Sequence, residues 1–203
     1  MNALGGFRRF TGKKLMSPYF LTLFLFVLSF DFPMRQATSV CIRPEEQQLY
    51  ELIMKYRQSK RLQRIPLSAG LTRVAQFHAK DLSENHEYGN TACNLHSWSS
   101  MGNWKACCYT NDHANPSCMW SKPMEIAGYS NPGYEIAYYH SGGAKADGAL
   151  TVWKASPGHN TVIVNQGNWK NLKWKAIGIG IYREYAVVWF GEAEDNRTPN
   201  RCP

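Results

Sequence analysis

The sequence predicts an α+β domain: a three-layer α-β-α sandwich around a small, mostly antiparallel sheet, stabilised by disulfides. Three observations lead there. Residues 175–182 alternate Ala176, Gly178 and Gly180 against Ile177, Ile179 and Ile181, and the short link Arg183-Glu184-Tyr185 joins them to a second apolar run at 186–192, as in an antiparallel hairpin. Residues 44–62, 68–84 and 147–155 carry apolar side chains at helical spacing, enough to cover both faces of a sheet made from the hairpin and 135–139. Six cysteines, Cys41, Cys93, Cys107, Cys108, Cys118 and Cys202, give an even count suited to disulfides.

The first 39 residues read as a leader. Arg8, Arg9, Lys13 and Lys14 precede an almost wholly apolar stretch at 15–30, and Ala37 and Ser39 are small residues before a cut at Val40. A signal peptide at 1–39 leaves one domain at 40–203 with no stable membrane span; the alternative is an uncleaved signal anchor. Removing the leader takes away five basic residues and one acid, leaving 18 basic and 14 acidic side chains, a formal charge of +4 instead of +8. No Lys/Arg stripe with interleaved aromatics remains, so a nucleic-acid partner is not expected. The expected location is secreted, extracellular.

In the first helix Pro44 suits the first position, Glu45 and Glu46 the positive end of the dipole, and Leu49, Leu52, Ile53 and Tyr56 form the apolar stripe. Lys55, Arg57, Lys60 and Arg61 near its end are expected on a solvated face. The second helix opens at Ser68 and lays Leu71, Val74, Ala75, His78 and Leu82 on one side. His78, on that stripe, is expected as a buried, hydrogen-bonded core histidine rather than a ligand.

Residues 84–123 show little periodicity. Cys41 and Cys202 stand at the two ends of the mature chain and are expected to pair, because domain termini are often close. Cys93, Cys107, Cys108 and Cys118 then cross-link the 93–118 segment, with adjacent Cys107 and Cys108 each reaching elsewhere; a zinc-thiolate knuckle is the alternative. Asp112 and His113 are expected as turn formers. Asn196-Arg197-Thr198 is a glycosylation sequon, with use depending on the host.

Residues 135–165 hold the candidate chemistry. Glu135 starts a strand, and a Gly-rich turn at 141–143 precedes the helix at 147–155. Ser156 is placed to accept a backbone N–H as N-cap, with Pro157 at the first position of a short helix, so His159 lies in its first turn. Glu125-Ile-Ala-Gly-Tyr129 echoes Glu135-Ile-Ala-Tyr-Tyr139, so Glu125 competes with Glu135, and spacing to Trp153 and His159 favours Glu135. After Asp195 the chain reads as tail.

Tyr134-Glu135-Ile136-Ala137, Trp153 and Ser156-Pro157-Gly158-His159 resemble the Gly-Glu-Asn-Ile-Ala, Trp, Ser-Pro-Gly-His run of bacterial-type members of the CAP superfamily. That superfamily takes in the cysteine-rich secretory proteins, venom allergens and class 1 pathogenesis-related plant proteins. LTRVAQFHAKDL resembles its second conserved helix, and Asn94-Leu95-His96-Ser97-Trp98 its His-Ser step. The resemblance spans roughly residues 45 to 192 and makes residues 99–122 a cysteine-rich insertion. It implies a cleft built from His96, Glu135 and His159. Relatives with a full tetrad have a second glutamate three residues after the tryptophan; Ser156 stands there instead.

Two imidazoles and one carboxylate can supply three ligands to zinc with an open position for water. Three function classes follow. The first is a secreted binding module whose cleft, or an adjacent apolar groove, takes a lipid, sterol, glycan or protein partner. That reading rests on the wealth of Trp and Tyr and on the glycine-bare strand. The second is a zinc-dependent hydrolase of peptides, with Glu135 as general base. The third is an effector scaffold acting through loops such as 99–122.

Overall fold

The computed structural model describes residues 40–86, 89 and 92–203; the expected leader lies outside them. In chain order the elements are β1 (Cys41–Ile42), α1 (Pro44–Ser59), α2 (Ala69–Asn85), α3 (Ser117–Trp120), α4 (Lys122–Ala127), β2 (Gly133–Tyr139), α5 (Ala146–Ala155), α6 (Pro157–Ile163), β3 (Ala176–Tyr182), β4 (Tyr185–Gly191) and β5 (Asn200–Arg201), with a 3₁₀ turn at Gly167–Trp169. At four and six residues, α3 and α4 are too short to carry a readable helical period.

The main sheet has the order β2-β4-β3 and is antiparallel throughout. Strand alternation sends two sets of side chains to opposite faces. On one face Ile136, Tyr138, Ile177, Ile179, Val188 and Phe190 pack against Leu49 and Ile53 of α1, Trp153 of α5 and Ile163 of α6. On the other, Ala137, Ala176, Val187 and Trp189 pack against Leu71, Val74, Ala75 and Leu82 of α2. These are the three expected layers.

The glycine face of β3 is filled by α2. A Cβ on Gly178 would lie 2.0 Å from the Leu71 carbonyl carbon, and one on Gly180 would lie 2.2 Å from that of Ala75. The bare strand is therefore a seat for a helix backbone and offers no groove to a ligand. Glu46, expected only to meet the helix dipole, is fully buried. It accepts from the N–H of Arg43 (2.8 Å) and Ile181 (3.0 Å) and from the Gln76 amide (2.9 Å), joining α1, β3 and α2. Burial pushes its carboxyl up.

Arg57 departs from the expected solvated face. It is buried, donating to the carbonyls of Ile163 (2.5 Å) and Gln63 (3.2 Å) and to Asn165 Oδ1 (2.8 Å). Its guanidinium closes the C-terminal end of α6, where unpaired carbonyls favour a cation. Burial lowers its pKa to about 10.

Cys41 pairs with Cys202, Cys93 with Cys108 and Cys107 with Cys118. The C-terminal segment is not a loose tail. β5 pairs in parallel with β1, and Asp195 Oδ2 accepts from the Ser68 hydroxyl (2.6 Å) and the Gly70 N–H (3.0 Å), so the segment is docked on the start of α2. Ser68 itself caps α2, accepting from the Leu71 N–H at 2.9 Å. Asn196 is exposed. Among the described residues no helix is long and apolar enough to cross a membrane.

Burial alone would raise the Asp195 carboxyl, but the Arg197 guanidinium, the Ser68 hydroxyl and the Gly70 N–H outweigh it and hold the pKa at about 2. A carboxylate whose folded pKa is depressed contributes stability that is present above its unfolded value, about 3.9, and is lost as pH falls toward the folded value. The melting temperature is therefore expected to fall between about pH 4 and about pH 2, with a shallower fall in Asp195→Asn. Equal slopes for the two proteins would contradict this.

Candidate functional site

Glu135, the third residue of β2, lies opposite Trp189 in the ladder and faces α2. Because Gly178 and Gly180 let α2 sit backbone-close on the sheet, His78, one turn beyond Val74 and Ala75, reaches the Glu135 carboxylate. His78 Nδ1 lies 2.5 Å from Oε2 and His96 Nδ1 lies 2.7 Å from Oε1. One carboxylate thus bridges two imidazoles, and both the His78 and Glu135 side chains are fully buried.

The donor count follows. His78 Nε2 meets the Ser97 carbonyl at 2.9 Å. A carbonyl only accepts, so Nε2 donates to it and Nδ1 is the atom that faces the carboxylate. Burial alone would raise the Glu135 carboxyl, but the charge and hydrogen bonds of His78 and His96 hold it below the usual range. Trp98 stacks on the His78 ring, with centroids 4.1 Å apart and planes at 8°.

The loop carrying His96 is clamped by the cysteine-rich segment. Trp98 and Cys107 exchange backbone hydrogen bonds of 2.8 and 2.9 Å, and Ser97 Oγ accepts from the Tyr109 N–H at 2.8 Å. Tyr109 also meets the His96 ring edge-on at 5.6 Å. With Nδ1 donating to Glu135, the open nitrogen of His96 is Nε2, on a side chain 20% exposed.

Ser156 is the N-cap of α6, but its hydroxyl does not accept a backbone N–H as the sequence suggests. It bonds His159 Nδ1 at 2.8 Å, so the cap side chain orients the imidazole. The His159 pKa is lowered by burial first and by the charge of His96 second.

Glu125 is elsewhere, as the spacing to Trp153 and His159 implied. It sits on α4, paired with the buried Lys122 at 2.7 Å and accepting from the Lys105 N–H at 2.5 Å. Asp112 and His113 stay in the loop: Asp112 accepts from Thr110 and from the Ala114 N–H, and His113 bonds the Tyr109 hydroxyl. His78 is buried and hydrogen-bonded as expected, yet it is also a member of the site, which its place on an apolar stripe concealed.

The zinc set His96, Glu135 and His159 fits poorly. Both oxygens of Glu135 are engaged by imidazole Nδ1 atoms, and Ser156 takes the place of a second carboxylate. Among the described residues no three His, Cys, Asp or Glu side chains assemble in a way able to hold a metal ion.

The model of the cysteine-rich secretory protein family, CAP, matches residues 50–187. Among solved structures, an extracellular protein containing an SCP domain from Bacillus anthracis is similar at a TM-score of 0.54 and 17% identity, over 73% of this chain and 40% of that one. A cysteine-rich secretory protein from Staphylococcus aureus is similar at 0.50 and 15%, over 73% of this chain and 38% of that one. The chain thus matches about two fifths of the length of each, and at these identities the likeness concerns the fold. No curated protein matches the chain.

Proposed function

Because the chain belongs to the cysteine-rich secretory protein family, we propose that it is an exported binding or effector protein whose cleft, opening at His96 and His159, recognises its ligand by hydrogen bonding without a resident metal. The observation that carries this reading is the engagement of both Glu135 oxygens by His78 and His96. A carboxylate so held is poorly placed to act as a zinc ligand or as the base of a hydrolase. The open Nε2 of His96 remains as the cleft's exchangeable hydrogen-bonding atom.

Export is supported by six cysteines all in disulfides and by the extracellular description of the Bacillus relative. A lipid, sterol, glycan or protein is the ligand class. Three partly exposed aromatics support a recognition surface: Trp120, Tyr134 and Trp169 meet in sequence at 5.4 and 5.1 Å. Native mass spectrometry of protein purified from its source is expected to show a co-purified small molecule, with less retained in His96→Ala. An apo mass alone, with no shift on adding lipid or glycan, contradicts the reading.

The zinc-dependent hydrolase is the second reading, favoured only by the electrostatic influence of His96 on His159. Ser156→Glu separates the two. It supplies the second carboxylate of the family tetrad, so zinc at about 100 times its Kd would add ~2.7 kcal/mol, a rise of roughly 5–10 °C in Tm. The unmodified chain is expected to move by less than about 1 °C on the same scale. Equal rises, with zinc-dependent peptide cleavage, would favour the hydrolase.

A further inference from the structure

A cavity of about 350 Å³ opens between α2 and the cysteine-rich segment, lined in part by Asp81, Asn85, Trp98, Ser99 and Ser100 and by the cysteines of the Cys93–Cys108 bridge. None of His78, His96, Glu135 or His159 lines it. Trp98 separates the two places, with one ring face stacked on His78.

Asp81 is the unusual member of this wall. It is 4% exposed. Its Oδ2 accepts from the Ser99 N–H at 2.8 Å, and its Oδ1 from the Ser99 hydroxyl at 2.5 Å and the Asn85 amide at 2.8 Å. Among the described residues no Lys or Arg makes an ion pair with it, and His86 also lines the cavity. Lys122, whose ammonium lies 5.7 Å over Trp98, spends that charge on Glu125 and the Lys105 carbonyl. A buried carboxylate is costly without a counter-ion. It offers about four acceptor positions, and three are filled.

We propose that this cavity binds a primary ammonium group, with Asp81 as its counter-ion and the hydroxyl of Ser100 and amide oxygen of Asn85 as further acceptors. The volume lies near the lower end of small-molecule sites, roughly 300–1,000 Å³. It suits an alkylammonium such as a lysine side chain or a short diamine. The walls are held in advance by Cys93–Cys108, by Cys107–Cys118 and by the Trp98–Cys107 backbone pair, so little ordering accompanies binding. The proposal does not depend on the ligand of the histidine cleft.

The test is an amide-resolved NMR titration of the mature, disulfide-intact chain with three probes: cadaverine, an acetylated and amidated lysine tripeptide, and the neutral alcohol 1-pentanol. Saturable shifts at the Asn85, Ser99 and Ser100 amides are expected with the cationic probes and not with pentanol. Tighter binding of the peptide assigns the ammonium to a partner's lysine, and tighter binding of cadaverine to a free amine. Asp81→Asn is expected to weaken binding by about tenfold or more, the scale of one charge-assisted contact. Should that variant fail to fold, Ser100→Phe occludes the cavity while leaving the Asp81 bonds in place, and the same loss is expected. Equal shifts with pentanol, no saturable shift with either cation, or undiminished binding in Ser100→Phe would overturn the proposal.

Discussion

Glu135→Ala is expected to destabilise the domain by about 3–5 kcal/mol, the scale of breaking a buried polar network whose remaining members stay unpaired. The change does more than delete a contact. It leaves His78, fully buried, with a protonated Nε2 committed to the Ser97 carbonyl and nothing opposite Nδ1. It also releases His96, whose Nδ1 is fixed by the same carboxylate. Against a total stability of about 5–15 kcal/mol, such a loss leaves a marginal fold. Glu135→Gln keeps the volume and one acceptor and is expected to cost less, about 1–3 kcal/mol. Urea unfolding at neutral pH measures both, and a loss below about 1 kcal/mol in Glu135→Ala would show that the bridge is not a structural one.

Gly178→Ala is expected to cost about 3 kcal/mol, at the upper end of overpacking. The added Cβ would fall 2.0 Å from the carbonyl carbon, 2.3 Å from the carbonyl oxygen of Leu71 and 2.3 Å from the N of Thr72. These are backbone atoms, so no rotamer change relieves the clash; α2 itself has to move. Since α2 carries His78, the displacement also opens the bond to Glu135, joining a packing change to a change in the site. Gly158→Ala is the control, because nothing lies within 4 Å of a Cβ there; it is expected to change stability by less than about 0.5 kcal/mol. Similar losses at the two positions would remove the close approach of α2 from the account.

The parts of the fold legible in the sequence were those with a long enough period. The 175–192 hairpin, α1, α2 and α5 each present several turns or alternations, and the chain-end disulfide followed from the positions of Cys41 and Cys202. Other features depend on distant partners and leave no local mark. β5 exists only because β1 lies beside it, although nearly the whole described chain separates them. Arg57 looks like any cation near a helix end until the Ile163 carbonyl, at the end of α6, and Asn165, two residues past it, arrive.

The site was legible in the same uneven way. His96, Glu135 and His159 were singled out by their spacing and family likeness, and the structure joins His96 to Glu135. His78 was hidden because a histidine on an apolar stripe has the same pattern whether it fills space or holds a carboxylate 57 residues away. Ser156 was read by its capping chemistry, and the backbone N–H it was expected to serve lost to the imidazole three residues on. Local propensity cannot weigh a side chain it does not know is near.

Glu135 belongs either to two histidines or to a metal. A crystal structure of residues 40–203 grown with excess zinc near neutral pH, with anomalous data at the zinc edge, decides it directly. The expected map has His78 and His96 still on the two oxygens of Glu135 and no anomalous peak touching that carboxylate. A peak at the zinc–oxygen bonding distance of about 2.0–2.2 Å from Glu135, with His96 turned to share it, would contradict the account.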